Sequence, residues 1–378
     1  MFDTFDKHVD KSLSILRSDL KEEAGRYDVQ ELMARYTLES IGIIGFGVSV
    51  GALDDTVAGA SASSSFGDAF NTATVRTADR FIDPTWPVKR LLAKCGLMWG
   101  GEKELRDSVG VIRAFAIKVI EERREEIAQG GEDLSSKPDL LSRFMAKEKG
   151  GADKGKKGSE FEFSNEELYF IIVNFVLAGR DTTAVSLTWT LWELAKRGNR
   201  SAVEKIREEG TRLRREMGIE KGVVTHELIA KSQYLKAVIQ ESLRLHPPVP
   251  LDIKEAEKDD VLPDGTEVRA GDRVMFLTWS MARMQDQWGE DCLDFKPDRF
   301  LKDGAFKPPE GSKLPIFLAG PRLCLGKEMA MLSSGLMLSK MLDAFDVEGG
   351  DEVEPKYEIG LTIWVDGKMP LVLKERVL

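Results

Sequence analysis

One long segment that is apolar on nearly all of its faces, residues 164–197, most constrains what this chain can fold into. From residue 168 its sequence reads LYFIIVNFVLAGRDTTAVSLTWTLWELAKR, which is typical of a helix and has no wide polar face for solvent. A helix that is hydrophobic all round is expected in a protein interior. Ser164 and Glu167 at its start have the spacing of a capping box. The sequence therefore predicts a fold built around one buried central helix.

Four residues inside this helix do not suit a purely structural segment: Gly179, Asp181, Thr182 and Thr183. Glycine within a helix costs about 1 kcal/mol relative to alanine, and a buried carboxylate without partners costs more. In a structural interpretation, Asp181 reaches a polar edge and the threonines bond to carbonyls one turn earlier. In a functional one, Gly179 lets the helix widen, and an acid and an alcohol relay protons to a bound ligand. These residues alone leave both interpretations open.

The order of predicted elements indicates an α-rich α+β fold. Helical spacing dominates up to about residue 250, and no convincing strand precedes that point. Short β-like pieces separated by turn signals follow, around one more helix at 326–345. Helices first and small sheets afterwards are typical of the α+β class. The polar, glycine-rich segment 129–160 is predicted to be an exposed loop.

Composition excludes several classes of protein. The 378 residues carry a formal net charge of −10 with both signs interspersed, which argues against a nucleic-acid-binding surface. The three cysteines are widely spaced and odd in number, so a secreted disulfide framework is not expected. No signal peptide opens the sequence, and no uninterrupted apolar run has the length of a membrane span. The chain as given is expected to be soluble or peripheral to a membrane.

An acid and a base at helical spacing, Glu241 and Arg244, stand in YLKAVIQESLRLHPPVP. Most i, i+3 ion pairs of this kind are exposed and contribute little to stability. Here the surrounding residues are apolar, which indicates partial burial. A buried bidentate arginine–carboxylate pair needs a further partner for its remaining hydrogen bonds. Arg299 in FKPDRF is a candidate for that partner.

The most informative loop, residues 317–326, precedes the predicted helix at 326–345. It holds an aromatic ring, two glycines, a cation and a thiol: Phe317, Gly320, Gly326, Arg322 and Cys324. A thiolate just before a helix is stabilised by the positive end of the helix dipole, so Cys324 is suited to bind a metal. The glycines allow a tight path beside a flat cofactor, and Arg322 suits a carboxylate. An isolated cysteine is more often a small buried hydrophobe, and zinc lacks a second ligand at suitable spacing.

Taken together, these motifs resemble the cytochrome P-450 superfamily. They occur in the family's order: A-G-x-D-T-T at 178–183, E-x-x-R at 241–244, a P-x-R-F-like element at Pro297, Arg299 and Phe300, and F-x-x-G-x-R-x-C-x-G at 317–326. The last motif is highly specific, and chance agreement at all four is negligible. The resemblance covers roughly residues 30–378. It implies a single domain over 1–378, with a helical bundle around haem and small β-sheets.

The resemblance implies a role for each matching residue in binding haem b. Cys324 would be the axial thiolate, whose electron donation favours O–O cleavage. Arg322 would pair with a haem propionate, and Phe317 would pack near the cysteine. Lys254 stands where relatives often place a propionate-binding arginine, so it is a further candidate. Haem contact is thereby assigned to Phe317, Gly320, Arg322, Cys324, Gly326 and Lys254.

Further roles follow from the other motifs. Asp181 and Thr182 would supply protons for dioxygen activation, with Thr183 beside them. Glu241, Arg244 and Arg299 would form a buried structural triad that holds the haem-binding core together. Ala178 stands where animal fatty-acid ω-hydroxylases carry a glutamate that can esterify haem. Non-covalent haem is therefore expected.

Two segments, VPLDIKEAEKDDVLPDGTEVRAGDRV and WGEDCLDFKPDRF, look like the plant and fungal branch that hydroxylates fatty acids and alkanes, often terminally. This resemblance implies insertion of one oxygen atom from O₂ into a C–H bond of a long-chain fatty acid or similar lipid. Electrons would come from NADPH through NADPH–cytochrome reductase. The full-length form would be a monomer on the cytosolic face of the endoplasmic reticulum membrane.

Two alternatives to a monooxygenase remain, and one of them comes from the beginning of the sequence. Family members place a membrane anchor, a first sheet and first helices before the part that corresponds to residue 1, so the domain is expected to be incomplete at its N-terminus. One alternative is therefore a non-catalytic or degenerate haem-binding remnant. The other is a haem-thiolate isomerase or dehydratase, against which the retained Asp181–Thr182 pair argues, because only O₂ activation needs a proton relay.

Overall fold

The computed structural model describes residues 1–22, 25–54, 62–97, 101–129, 137–149 and 163–376. Their contacts group the chain into two compact units. The first comprises Met1–Ala184, Glu358–Leu361 and Gly367–Pro370, and the second comprises Val185–Tyr357, Thr362–Asp366 and Leu371–Leu378.

The first unit consists almost entirely of helices. They are α1 (Phe2–Glu22), α2 (Val29–Phe46), α3 (Ala62–Ile82), α4 (Trp86–Lys94), α5 (Gly101–Ala128), α6 (Leu140–Lys149) and the first part of α7 (Asn165–Leu194). Helix α1 is amphipathic, and Val9 and Leu16 on its apolar side are completely buried. One short strand, β1 (Arg26–Asp28), stands before α2. The expectation of no strand before residue 250 was therefore wrong at this point.

Helix α6 corrects the prediction of an exposed loop over 129–160. Leu141 and Met145 within it are buried, at the i, i+4 spacing that gives a helix an apolar side. Asp139 caps the helix, because its carboxylate accepts a hydrogen bond from the backbone N–H of Ser142 (2.8 Å). The polar and glycine-rich residues around α6 obscured this short apolar pattern. The segments 130–136 and 150–162 of the predicted loop lie outside the described residues.

The predicted central helix is present as α7, within three residues of the expected ends. Its capping box is formed, with Ser164 N donating to Glu167 Oε2 (2.8 Å) and Glu167 N donating to Ser164 Oγ (3.2 Å). By length and composition α7 is the single membrane-span candidate among the described residues, and half of its most apolar window is buried in protein. The buried core helix of a protein can have the same length and composition, and a core helix is what the sequence predicts here.

Gly179 serves close packing inside the first unit. A Cβ atom at this position would lie 2.8 Å from Cδ1 of Ile41 on α2. The segment around Gly179 is a continuous α-helix, so the local widening suggested from the sequence is not observed. Absence of a side chain lets α7 and α2 approach each other.

The second unit contains the rest of α7, six further helices and small antiparallel sheets. The helices are α8 (Arg200–Met217), α9 (His226–Lys231), α10 (Gln233–Leu245), α11 (Thr278–Met281), α12 (Gln285–Trp288) and α13 (Lys327–Ala344). The strands of the second unit are β2 (Asp252–Glu255), β3 (Asp260–Val261), β4 (Glu267–Val268), β5 (Arg273–Phe276), β6 (Leu301–Lys302), β7 (Ala305–Phe306), β8 (Phe345–Glu348), β10 (Ile363–Val365) and, after its first residue, β11 (Pro370–Glu375). Strand β9 (Tyr357–Ile359) lies mostly in the first unit.

These strands form small antiparallel pairs. Strand β2 pairs with β5, β3 with β4, β6 with β7, and β8 with β11, all antiparallel. Helix α10 packs against α13, α8 and the 3₁₀ turn Pro297–Phe300. The predicted α-rich α+β class is confirmed, with the core of this unit formed by α10 and α13.

Gly350 provides a test of the packing at the end of α7. A Cβ atom there would lie 2.7 Å from the carbonyl oxygen of Trp192 and 2.8 Å from the backbone nitrogen of Lys196. Backbone atoms cannot rotate away as side chains can, so Gly350→Ala should lower the free energy of unfolding by about 1–3 kcal/mol. Urea denaturation measures the change. Gly198→Ala is the matched control, because its Cβ would meet open space; equal stability of the two variants would contradict the packing.

Candidate functional site

The cysteine loop of the second unit is closed by its own backbone. The N–H of Cys324 donates to the carbonyl oxygen of Phe317 (2.8 Å), and a 3₁₀ turn, Gly320–Arg322, lies between them. Leu318 and Gly320 have positive φ angles of 57° and 59°. Glycine adopts this conformation readily, whereas in leucine it strains the backbone. A closed path that tolerates strain at Leu318 fixes the backbone from which the Cys324 side chain projects.

The thiol of Cys324 lies just ahead of α13, as the sequence predicted. The carbonyl of Cys324 accepts a long hydrogen bond from Lys327 N (3.4 Å), the first residue of the helix. Cys324 is exposed, and so is its neighbour Leu325, at 90%. The nearest contact that a Cβ at Gly326 would make is with Cys324 Sγ (3.8 Å). The loop thus presents a thiol beside bare backbone and an apolar side chain.

This donor set fits one kind of metal site better than others. Among the described residues, no group of three or more His, Cys, Asp or Glu side chains is placed to hold a metal ion. A metal at Cys324 would therefore have fewer than three such ligands from the described residues. An iron macrocycle that is flat, largely apolar and in need of one axial sulfur ligand meets that condition, whereas a structural zinc site does not.

The other predicted haem contacts lie in different surroundings. The ring of Phe317 is partly buried, with the ammonium group of Lys327 5.9 Å from its centre. Arg322 is exposed, and within the described parts of the chain no ion pair is recorded for it. Lys254 on β2 instead donates to Asp252 Oδ2 (2.6 Å). A negatively charged ligand would find Arg322 available, but at Lys254 it would compete with Asp252.

The three predicted structural residues meet in one buried cluster. Arg244 donates to both oxygens of Glu241, with Nε–Oε2 at 2.7 Å and Nη2–Oε1 at 2.8 Å. Both side chains are completely buried. Arg299 Nε approaches Glu241 Oε1 at 3.2 Å. The sequence therefore identified the members of this cluster and its charge pattern correctly.

Backbone groups complete the cluster, and the sequence did not show them. Arg244 also donates to the carbonyl oxygens of Ala282 (2.6 Å), Cys292 (2.6 Å) and Asp294 (3.1 Å). The N–H of Lys296 donates to Glu241 Oε1 (2.8 Å). A buried ion pair is tolerated only if such hydrogen bonds satisfy its remaining atoms. The cluster thereby fastens α10 to the irregular segment that leads from α11 to the 3₁₀ turn.

The acid and alcohol of α7 belong to the first unit. Asp181 is buried, and its Oδ1 accepts a hydrogen bond from Nη1 of Arg180 (2.7 Å). Oδ2 of Asp181 is buried without a hydrogen-bond partner in the described part of the chain. Thr182 Oγ1 donates to the carbonyl oxygen of Ala178 (2.6 Å), and Thr183 is buried. The threonine follows the structural interpretation, whereas Asp181 does not reach a polar edge.

Arg180 is the site residue that sequence reasoning missed. Its guanidinium also contacts the side-chain oxygen of Asn71 and lies 5.5 Å from the ring centre of Phe70 on α3. Burial raises the pKa of the Asp181 carboxyl, against the opposing charge of Arg180. Burial likewise lowers the pKa of Arg180. A cation directly before a buried acid was the available signal, because an uncompensated carboxylate is costly there.

A helix-rich fold with small antiparallel sheets, and an exposed cysteine directly ahead of a helix, fit the class of haem-thiolate proteins. The family model for cytochrome P450 matches residues 1–366. The chain belongs to the cytochrome P450 family, whose members bind haem b.

The similar curated proteins are plant members of that family. Cytochrome P450 86B1 of Arabidopsis thaliana is 37% identical over 367 residues, 93% of this chain and 61% of the relative. Cytochrome P450 CYP94D109 of Paris polyphylla is 33% identical over 356 residues, 92% of this chain and 67% of the relative. Cytochrome P450 94C1 of Arabidopsis thaliana is 36% identical over 373 residues, 96% of this chain and 69% of the relative. The chain thus spans 61% to 69% of the length of these relatives.

The buried pair predicts a large effect of removing one charge. Arg244→Met should lower the free energy of unfolding by about 3–5 kcal/mol, because it leaves Glu241 buried with one arginine fewer. Arg212→Met is the control, since Arg212 pairs with Glu216 on the surface of α8 (3.1 Å) and should lose about 0.5 kcal/mol or less. Urea denaturation of both variants tests this prediction. A loss at Arg244 no greater than at Arg212 would contradict it.

Asp291 predicts part of the response to acid. Hydrogen bonds from Lys296 and Arg299 hold its pKa at about 2, below the usual 3.8. Because the folded-state pKa is the lower one, the stabilisation is complete above about pH 4 and is lost as the pH falls towards about 2. Asp291→Asn should remove this part of the acid dependence. Urea midpoints of both proteins from pH 5 to pH 2 should therefore converge on acidification; a constant difference would refute the assignment.

Proposed function

We propose that this chain is the haem-binding part of a cytochrome P450 monooxygenase, with Cys324 as the axial ligand of haem b. The observation that carries the proposal is the exposed thiol of Cys324, held in a closed loop directly before α13. When bound, the haem would supply the oxidising chemistry that inserts one oxygen atom from O₂ into a C–H bond. The protein would supply the thiolate, the protons and the binding surface.

The residues of the cysteine loop would bind and orient the haem. Arg322 offers an exposed guanidinium for a propionate, since a planar fork of donors matches a carboxylate. Phe317 would pack beside the thiol, because its backbone carbonyl is already bonded to Cys324 N. Lys254 would serve as a second cation once it exchanges Asp252 for a propionate. Gly320 and Gly326 would keep the backbone free of side chains near the macrocycle.

Asp181 and Thr182 would manage protons on α7. Burial raises the pKa of the Asp181 carboxyl, which favours a form that holds a proton. Its free Oδ2 can bind a water molecule or pass a proton. The Thr182 hydroxyl gives its hydrogen to Ala178 O, so its oxygen remains able to accept one. Together with Thr183 they would form the relay that activation of O₂ requires.

The proposed substrate is a long-chain fatty acid or a similar lipid. One of its C–H bonds is hydroxylated, and the terminal carbon is among the positions proposed. This assignment rests on the resemblance of the two segments around Lys254 and Arg299 to the plant and fungal fatty-acid branch, and it agrees with the plant P450s found as relatives. NADPH–cytochrome reductase would donate the electrons. In full-length form the protein would be a monomer at the cytosolic face of the endoplasmic reticulum membrane.

The carbon monoxide difference spectrum tests the ligand. With carbon monoxide, the reduced, haem-reconstituted chain should show the red-shifted Soret band that a cysteine thiolate ligand gives. Cys324→Ala should abolish this band. Cys95→Ala is the matched control, since it removes another exposed cysteine and should leave the band unchanged.

Each remaining outcome has a distinct meaning. Persistence of the band in Cys324→Ala would disprove the ligand assignment. Failure of the unaltered chain to bind haem would refute the proposal and favour a degenerate remnant. A normal band, with NADPH consumed alongside reductase and lauric or oleic acid but no hydroxylated product formed, would refute the substrate class alone.

A further inference from the structure

A buried network of side chains lies at the end of α10, apart from the cysteine loop. His246 Nδ1 lies 2.9 Å from the phenolic oxygen of Tyr357, and its Nε2 lies 2.9 Å from Glu193 Oε1. His246 is 5% exposed and Glu193 is 4% exposed. Lys196 contacts the other carboxylate oxygen of Glu193 (2.9 Å). The network joins a phenol, an imidazole and a carboxylate in one hydrogen-bonded chain.

The protonation states in this chain follow from its surroundings. Burial raises the pKa of Glu193, but the hydrogen bond from His246 and the charge of Lys196 outweigh it and leave the pKa below its usual range. Burial lowers the pKa of His246, in spite of the neighbouring carboxylate. A neutral imidazole therefore donates Nε2–H to an ionised Glu193. Its unprotonated Nδ1 faces Tyr357. Burial raises the pKa of that phenol, against hydrogen bonds from Trp279 and Arg283 that lower it, so the phenol keeps its hydrogen and donates it to His246.

A phenol that donates to a base can be oxidised without forming a buried phenol cation. The electron leaves for an oxidant, the O–H bond of Tyr357 breaks, and the proton forms a bond to Nδ1 of His246. The products are a neutral tyrosyl radical and an imidazolium, and Glu193 stabilises the imidazolium as a counter-charge. On reduction the electron and the proton return to the phenol oxygen.

Aromatic rings connect Tyr357 to the surface of the second unit. The ring of Trp189 lies 4.8 Å from that of Tyr357 and is stacked on His246 at 4.5 Å and 4°. Trp279 lies 6.3 Å from Tyr357 and is 37% exposed. Because electron tunnelling falls off steeply with distance, rings in contact form a favourable path. Trp279 therefore gives an external oxidant access to the buried phenol.

We propose that Tyr357 is a redox-active tyrosine, with His246 as its proton acceptor and Trp279 as the point where oxidising equivalents enter or leave. The oxidant is any strong one-electron acceptor, such as a ruthenium(III) polypyridyl complex. This activity goes beyond the proposed monooxygenase function and does not depend on haem. In a chain that performs oxidative chemistry, such a tyrosine would give a misplaced oxidising equivalent a route to solvent.

Photochemical oxidation of the full chain tests the proposal. Tris(bipyridine)ruthenium(III), generated by a light flash and a sacrificial acceptor, should produce the EPR signal and optical absorption of a neutral tyrosyl radical. Tyr357→Phe should lose this signal, measured for both proteins in a Tyr27→Phe background, because Tyr27 also donates its phenolic hydrogen to a carboxylate, Asp19 (3.0 Å). Tyr234→Phe is the matched control, because Tyr234 is also buried in the second unit but its ring lies 5.0 Å from the Lys205 ammonium; it should keep the signal.

A second measurement separates a proton relay from a purely structural network. Radical formation in the unaltered chain should be slower in D₂O, because the proton moves with the electron. Glu193→Gln should lower the radical yield, since Gln cannot neutralise the imidazolium, and circular dichroism should confirm that the variant is folded. An undiminished tyrosyl signal in Tyr357→Phe, a rate equal in both solvents, or tryptophan radicals alone in the unaltered chain would each overturn the proposal.

Discussion

The completely buried carboxylate of Glu241 is the constraint on which the second unit depends. Removing such a charge from water costs free energy. Its attraction to Arg244 offsets that cost only when the remaining donors and acceptors of both groups are hydrogen-bonded. Carbonyl groups at Ala282, Cys292 and Asp294 meet this need. The irregular segment between α11 and the 3₁₀ turn must therefore run where those carbonyls point inward. A segment with little regular structure is fixed by one ion pair on a helix.

This anchoring reaches the cysteine loop through helix packing. Helix α10, which carries Glu241 and Arg244, packs directly on α13, and Cys324 stands immediately before that helix. A second close approach, of Gly335 on α13 to Ile229 on α9, limits how the helix can slide, since a Cβ would lie 2.9 Å from Cγ2. The position of the thiol is thus a consequence of packing as well as of the loop's own hydrogen bond.

Sequence reasoning succeeded where a local pattern carries its own physical cause. Ser164 and Glu167 cap α7 because both partners lie within one turn, and Cys324 precedes a helix because Gly326 and the apolar spacing after it mark the boundary. It failed where the partner is distant or its pattern is diluted. Helix α6 was missed because its short apolar pattern lies among polar residues. The sequence near His246 gives no sign that Tyr357 is its hydrogen-bond partner.

The sequence by itself determined the family, the order of helices and small sheets, the ligand candidate Cys324 and the members of the Glu241 cluster. These depend on residue type and local spacing, which are written in the chain. Only the tertiary structure decided that Arg180 pairs with Asp181 and that Lys254 forms an ion pair with Asp252. It also decided that three backbone carbonyls complete the hydrogen bonds of Arg244. Burial and hydrogen bonding depend on the packed chain, because a buried charge must be paired, and its partners are set by which groups the fold places within hydrogen-bonding distance.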